Sequence, residues 1–223
     1  IFVDVFQPSQ DDHQHTALLI NMADMPFVVD TVRLVLSRSD HDLYAFINAS
    51  DVRILRHDKG QIKSLDQDKK GAQPELFLIV SLNRITDVHD IKCLIERVHL
   101  ALQDVDLAVS DWQKMQSRMS VAISNLTAIN DPQLTPYRDE AIDFMKWLLK
   151  FFTFIGYREY KAQSESEPLT FCADSPLGVL RANHFSPKQV DASSPPTLFD
   201  PKSIERFIVV GKSKIRSTIH RPP

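Results

Sequence analysis

The chain has 223 residues, of which 43% are hydrophobic and 25% charged, with a formal net charge of −3. That balance belongs to ordinary globular proteins and excludes the basic footprint of a nucleic-acid or anionic-membrane binder. No apolar run approaches the ~20 residues needed to cross a bilayer. Two cysteines, Cys93 and Cys172, cannot build a disulfide framework and suit a reducing cytoplasm.

In chain order, Phe2–Phe6 (FVDVF) alternates apolar and polar residues, the signature of a short edge strand without a basic leader before it. Pro8–His15 is polar and loop-like, and Thr16–Ala23 is a strongly apolar strand. Pro26 is expected in the first turn of a helix, where its missing N–H costs nothing. Val28, Val32, Val35 and Leu36 then recur at helical spacing through about Ser39, with Asp24 and Asp30 bracketing the positive end of the helix. Leu43–Asn48 and Val52–Leu55 are two strand segments, or one strand broken at Ser50–Asp51. Gln61–Pro74 reads as a polar, lysine-rich loop, and Leu76–Leu82 (LFLIVSL) as a buried central strand.

Thr86–Asp87 is an N-cap signal for a second helix striped by Ile91, Leu94, Ile95, Val98 and Leu102. Val105–Val109 (VDLAV) alternates and is expected to return as a short strand. The order strand, helix, strand, strand, helix, strand predicts an α+β fold, a ferredoxin-like βαββαβ sandwich. Ser110 and Gln113 form a capping box for a third helix, Asn130–Thr135 breaks it, and Pro136 restarts a helix that is apolar nearly all round. Gly156–Lys161, Leu169–Cys172, Val179–Leu180, Arg206–Lys212 and Ser217–His220 are strand candidates, with Ala182–Pro201 a long Ser/Pro/Asp-rich loop. Three segments result: 1–109, a helical connector over 110–155, and a partial antiparallel sheet domain over 156–223. The chain starts without Met and stops in mid-pattern, which reads as a piece of something longer.

Four segments carry a resemblance: DMPFVVDTV (Asp24–Val32), DVDLAVSDWQKM (Asp104–Met115), FMKWLLKFFTFIGYREY (Phe144–Tyr160) and GKSKIRSTIHRP (Gly211–Pro222). In order and spacing they resemble the N-terminal region of the large NAD-specific glutamate dehydrogenases of bacteria. The resemblance implies an ACT-type regulatory domain followed by the start of a PAS-like domain. It places the catalytic domain, which oxidises L-glutamate to 2-oxoglutarate and ammonia with NAD, downstream in the parent chain. It implies no cofactor within these residues, a cytoplasmic homo-oligomer, and an amino-acid effector as a possible partner. Amino-acid-binding ACT modules usually carry Gly after Pro in the turn that follows their first strand; here that residue is Phe27.

Asp24, Met25, Pro26 and Phe27 are the candidate effector residues, because amides at a helix start can hold an α-carboxylate. The bland alternative is that Pro26 starts the helix and Phe27 plugs the core. Trp112, Trp147, Phe151 and Phe152 are expected packing anchors. His89 and Cys93 stand four apart on one helix, too few for a metal site, and His13 and His15 sit in a polar stretch. Gly211–Lys212–Ser213 lacks the upstream glycine of a phosphate loop. Lys212, Lys214, Arg216, His220 and Arg221 form a basic run that suits a solvated strand face. No nucleophile elbow and no Gly-x-Gly-x-x-Gly occurs, so no catalytic residue is assigned. The rival readings are a ligand-free structural scaffold and a free-standing small-molecule sensor.

Overall fold

A computed structural model describes residues 1–7, 15–58, 60–65, 72–161, 170–182, 207–208, 210–211 and 216–219. The chain divides into two compact units, Ile1–Asp106 with Ser217–Pro223, and Leu107–Arg216.

The first unit is built on an antiparallel sheet of β1 (Phe2–Phe6), β2 (His15–Ala23), β3 (Leu43–Arg56), β4 (Ile62–Leu65) and β5 (Gln73–Asn83), in the order β1-β2-β5-β3-β4. Helix α1 (Val28–Ser37) connects β2 to β3. β5 is central, as its apolar run predicts, and it separates β2 from β3. Ile62–Leu65, expected as loop, is a strand paired with the far end of β3. The two segments Leu43–Asn48 and Val52–Leu55 are one strand, interrupted by a register shift between Ala49 and Val52 where Asp51 adopts φ 54°.

The period-2 pattern divides the sheet into two unlike faces. Leu18, Ile20 and Met22 of β2 and Leu76, Leu78, Val80 and Leu82 of β5 share one face and are fully buried. Val28, Val32 and Leu36 of α1 belong to the same core, and the Arg33 guanidinium lies over the Phe46 ring at 4.7 Å. The other face carries three cross-strand rows, each running β1, β2, β5, β3. They are Phe6–Ala17–Ser81–Ala45, Asp4–Leu19–Ile79–Ile47 and Phe2–Asn21–Phe77–Ala49. This face is open to solvent at Phe2, Phe6, Ile47 and Ile79.

Val105–Val109 is not a strand. It lies within α2 (Val88–Thr127), a single helix of 40 residues in which Leu94, Val98, Ala101, Leu102, Val105 and Ala108 form one continuous buried stripe. The edge beside β2, which a closing strand would take in a βαββαβ module, is filled instead by β1. The capping box expected at Ser110 is likewise inside α2, where the Ser110 hydroxyl donates back to the Leu107 carbonyl (3.1 Å). The N-cap at Asp87 is real: its carboxylate accepts from the amides of His89 (2.6 Å) and Asp90 (3.3 Å). Residues 217–219 return to this unit. Arg38 donates to the Ser217 carbonyl (3.0 Å), the Thr218 hydroxyl donates to the buried Asp104 carboxylate (2.6 Å), and Ile219 is buried.

The second unit holds the end of α2, α3 (Thr135–Phe151) and short strands. Pro136 sits in the first turn of α3, as expected. The strand read at Gly156–Lys161 is two pieces, β6 (Gly156–Tyr157) and β7 (Tyr160–Lys161). β6 pairs with β9 (Leu177–Gly178) and β7 with β8 (Thr170–Phe171). Val179–Arg181 is a 3₁₀ turn rather than a strand. The loop read at Ala182–Pro201 lies outside the described residues beyond Ala182. The described parts of 206–212 and 217–220 contain no strand. Met119, Ala122, Leu126, Met145 and Leu148 line an open apolar groove crossed by Phe207 and Ile208.

Candidate functional site

The four candidate effector residues join β2 to α1. Asp24 continues from β2, its amide donating to the Pro74 carbonyl (3.0 Å). Its carboxylate accepts the Asp51 amide at 2.7 Å, so it fastens the interruption in β3. Asp24, Met25 and Phe27 are half-buried and Pro26 is exposed. The helix opens at Val28, so Pro26 lies in the preceding turn and not in the first helical turn as the sequence suggested. Phe27 occupies the N-cap with φ 73° and ψ −9°, a left-handed conformation rarely taken by a bulky residue. Its carbonyl accepts from the Thr31 amide (2.9 Å), and no side chain caps α1. The first-turn amides carry the partial positive charge of the helix and are chemically suited to a carboxylate. Phe27 and Asp51 are both left-handed non-glycine residues, and the Asp24 carboxylate binds the amide of Asp51.

A second polar cluster sits on the open face of the sheet and was not read from the sequence. Arg56 of β3 clasps Glu75 of β5, its Nε donating to Oε1 at 2.6 Å. It also donates to the Asn21 side-chain oxygen (2.8 Å), while the Asn21 amide donates to Glu75 Oε2 (2.8 Å). The Arg56 guanidinium holds the Glu75 carboxyl below the usual carboxylate range, against the opposing effect of burial. Because Glu75 faces β2 and β3 at once, the three strands are cross-linked where the β3 interruption weakens the ladder. Only the pairing register brings these residues together; nothing in their separate positions signals it.

In the second unit Asp111 is nearly inaccessible, at 1% side-chain exposure. It accepts from the Gly178 amide (3.0 Å) and Lys114 (3.0 Å), and Arg181 lies at 3.2 Å. Burial alone raises its pKa, but the amide and the two cations outweigh that and hold it below the ordinary range. The sequence placed Asp111 inside a capping box and missed this role.

The expected aromatic anchors are not core residues. Trp112, Trp147, Phe151 and Phe152 are 46, 45, 57 and 53% exposed. Trp147 instead gathers a surface cluster, with ring centroids 5.7 Å from Phe144, 5.9 Å from Phe151 and 5.0 Å from Phe152. The helix that seemed apolar all round therefore leaves one aromatic side in water. Cys93 Sγ lies 3.6 Å from His89 Nε2, and among the described residues no three His, Cys, Asp or Glu are grouped to hold a metal. His15 begins β2, while His13 and most of the basic run at 212–221 lie outside the described residues; Arg216 is exposed. Among the described residues no helix is long and apolar enough to cross a membrane.

Comparison with known proteins follows the same lines. Residues 1–98 match the family model described as glutamate dehydrogenase, ACT1 domain. Over 190 residues, 80% of this chain, the sequence is 30% identical to the NAD-specific glutamate dehydrogenase of Halomonas elongata. Over 189 residues it is 24% identical to the NAD-specific glutamate dehydrogenase of Pseudomonas aeruginosa. The matched region spans 12% of the length of each relative. No solved structure matches. The chain is thus similar to the glutamate dehydrogenase ACT1 model over residues 1–98 and to part of two NAD-specific glutamate dehydrogenases.

Proposed function

We propose that this chain is the N-terminal regulatory segment of an NAD-dependent glutamate dehydrogenase. The parent reaction is L-glutamate, NAD and water to 2-oxoglutarate, ammonia and NADH. NAD and the reacting groups belong to a catalytic domain elsewhere in the parent protein, which works in the cytoplasm as a homo-oligomer. The observation that carries this reading is the ACT1 match over residues 1–98, extended to most of the chain by the two relatives. By the resemblance of Phe144–Tyr160 and Gly211–Pro222 to that family, residues 156–223 are the beginning of a PAS-like domain.

The segment's regulatory ligand is an amino acid. Its α-carboxylate sits at the first-turn amides of α1, and its ammonium group faces the Asp24 carboxylate. Binding shifts the parent enzyme only to the extent that its active and inactive states bind the amino acid unequally. Calorimetric titration of the purified chain with each of the twenty amino acids tests this. Heat with one or a few of them, lost in Asp24→Ala, is the expected result; no heat with any ends the effector assignment. A ligand-free scaffold is favoured by one observation, the engagement of Asp24 with Asp51. Phe27→Gly separates the two readings. If the ring blocks a latent pocket, the variant gains amino-acid affinity; if the loop is purely structural, it gains none.

A further inference from the structure

The open face of the sheet combines large exposed apolar side chains with almost no charge. Phe2, Phe6, Ile47 and Ile79 are 53, 56, 60 and 45% exposed. We infer that this face packs against the same face of a second copy of the chain, about a twofold axis parallel to the strands and lying between β2 and β5. The inference uses the sheet alone and stands whether or not the chain serves a dehydrogenase.

Three observations select a second copy over other occupants. The first is shape. Such an axis exchanges β1 with β3 and β2 with β5 while keeping each row level. In the first and third rows the bulky ring lies on β1 and the small side chain on β3, so Phe6 meets the partner's Ala45 and Phe2 meets the partner's Ala49, while in the middle row Asp4 meets the partner's Ile47. On the axis, Leu19 meets the partner's Ile79. In those two rows large side chains are therefore offered to small ones at both flanks, as interdigitating sheet faces ~10 Å apart require.

The second is charge. Asp4 is the one charged residue in the three rows; it lies at the outer end of its row and accepts its own neighbour's amide, Val5, at 2.8 Å. In the pair it stands opposite the partner's Ile47, on the outermost strand, where its open side still reaches water. Arg56, at the end of the face, is already matched by Glu75. Self-pairing thus buries no unmatched charge at the centre, whereas a charged partner would find nothing complementary there. The third is area. Phe2, Phe6, Ile47 and Ile79 each leave about half of their surface bare on this one face, more apolar surface than singly scattered exposed side chains account for.

Sedimentation equilibrium of the whole chain over a wide concentration range tests the pairing. The expected result is a reversible dimer of twice the 25.5 kDa chain mass. Ile79→Glu and Ile47→Glu should each weaken it at least about tenfold, with circular dichroism unchanged. Leu100→Glu, at a comparably exposed position on α2, should leave it intact. The alignment has its own test, because Phe6 and Ala45 stand on strands separated by β2 and β5 and cannot meet within one copy. Ala45→Phe should weaken the dimer, and adding Phe6→Ala should restore it. A monomer at every concentration overturns the inference. A dimer indifferent to both glutamates overturns it too, since it must then form through a strand edge or another surface. Failure of Phe6→Ala to rescue Ala45→Phe overturns the twofold arrangement.

Discussion

Gly178 and Phe27 both hold positive φ, and they show what a sequence can and cannot announce about a single residue. Gly178 lies at φ 59° and ψ −140°, a region open essentially only to glycine, and a Cβ there would run into the Ile155 carbonyl oxygen. Its amide is also the donor that reaches Asp111. Gly178→Ala should therefore cost about 3 kcal/mol in chemical denaturation, through backbone strain and displacement of the Asp111 contact together. A loss below about 0.5 kcal/mol would mean that the β6–β9 pair does not constrain this position. Nothing in the sequence around Gly178 signals this, because the constraint comes from the carbonyl of Ile155, just before β6. Phe27 was conspicuous from the start, since its neighbours Asp24–Pro26 mark a turn. Its left-handed conformation was not legible, because a bulky residue normally avoids that region. The residue could be singled out from local chemistry; its geometry is imposed by the packing around it.

Among the elements, the sheet is legible in the sequence and the full extent of α2 is not. β2, β3 and β5 announce themselves by period and by β-branched or aromatic content, and even the interruption of β3 at Ser50–Asp51 was visible. Val105–Val109 misled because VDLAV satisfies two periods at once: alternation, and the 3.6-residue stripe that continues from Leu94, Val98 and Leu102. The deciding signal was an absence. Between Asp87 and Asp131 there is neither Gly nor Pro, so nothing in the sequence stops the helix. Ser110 provides a test whose sign differs between the two readings. As an N-cap, Ser110→Ala would lose roughly 1 kcal/mol. Inside a continuous helix the same change exchanges a weaker helix former for the best one and should gain about 0.5 kcal/mol, read from the urea midpoint. The edge strand β1 was legible as a strand, but not as the partner of β2, because pairing depends on which positions other elements leave open.

For the molecule as a whole, the sequence suggests contiguous segments. The observed units are not contiguous, since Ser217 and Thr218 return to Arg38 and Asp104 of the first unit. Short polar segments of this kind carry no period, so only the completed fold locates them. The two units also share an electrostatic property. Each contains a carboxylate whose pKa is held down, Glu75 by Arg56 in the first and Asp111 by the Gly178 amide, Lys114 and Arg181 in the second. In both cases the folded state favours the ionised form, so between the lowered folded pKa and the ordinary carboxylate value of about 4 the unfolded chain binds more protons. Stability then rises with pH through that window. It is fully present above it and is lost as pH falls through the folded values. The expected outcome is a denaturation midpoint nearly flat from neutrality down to about pH 5, then falling steeply toward pH 3. Glu75→Gln and Asp111→Asn should each lower the plateau and flatten the acid slope, because each removes one group whose protonation opposes folding. Glu75→Gln should act through unfolding of the sheet unit and Asp111→Asn through the helical one, which hydrogen exchange followed peptide by peptide can separate. A variant that lost stability equally at pH 3 and pH 7 would show that its carboxylate contributes through packing alone, and that its charge has no part in holding the unit together.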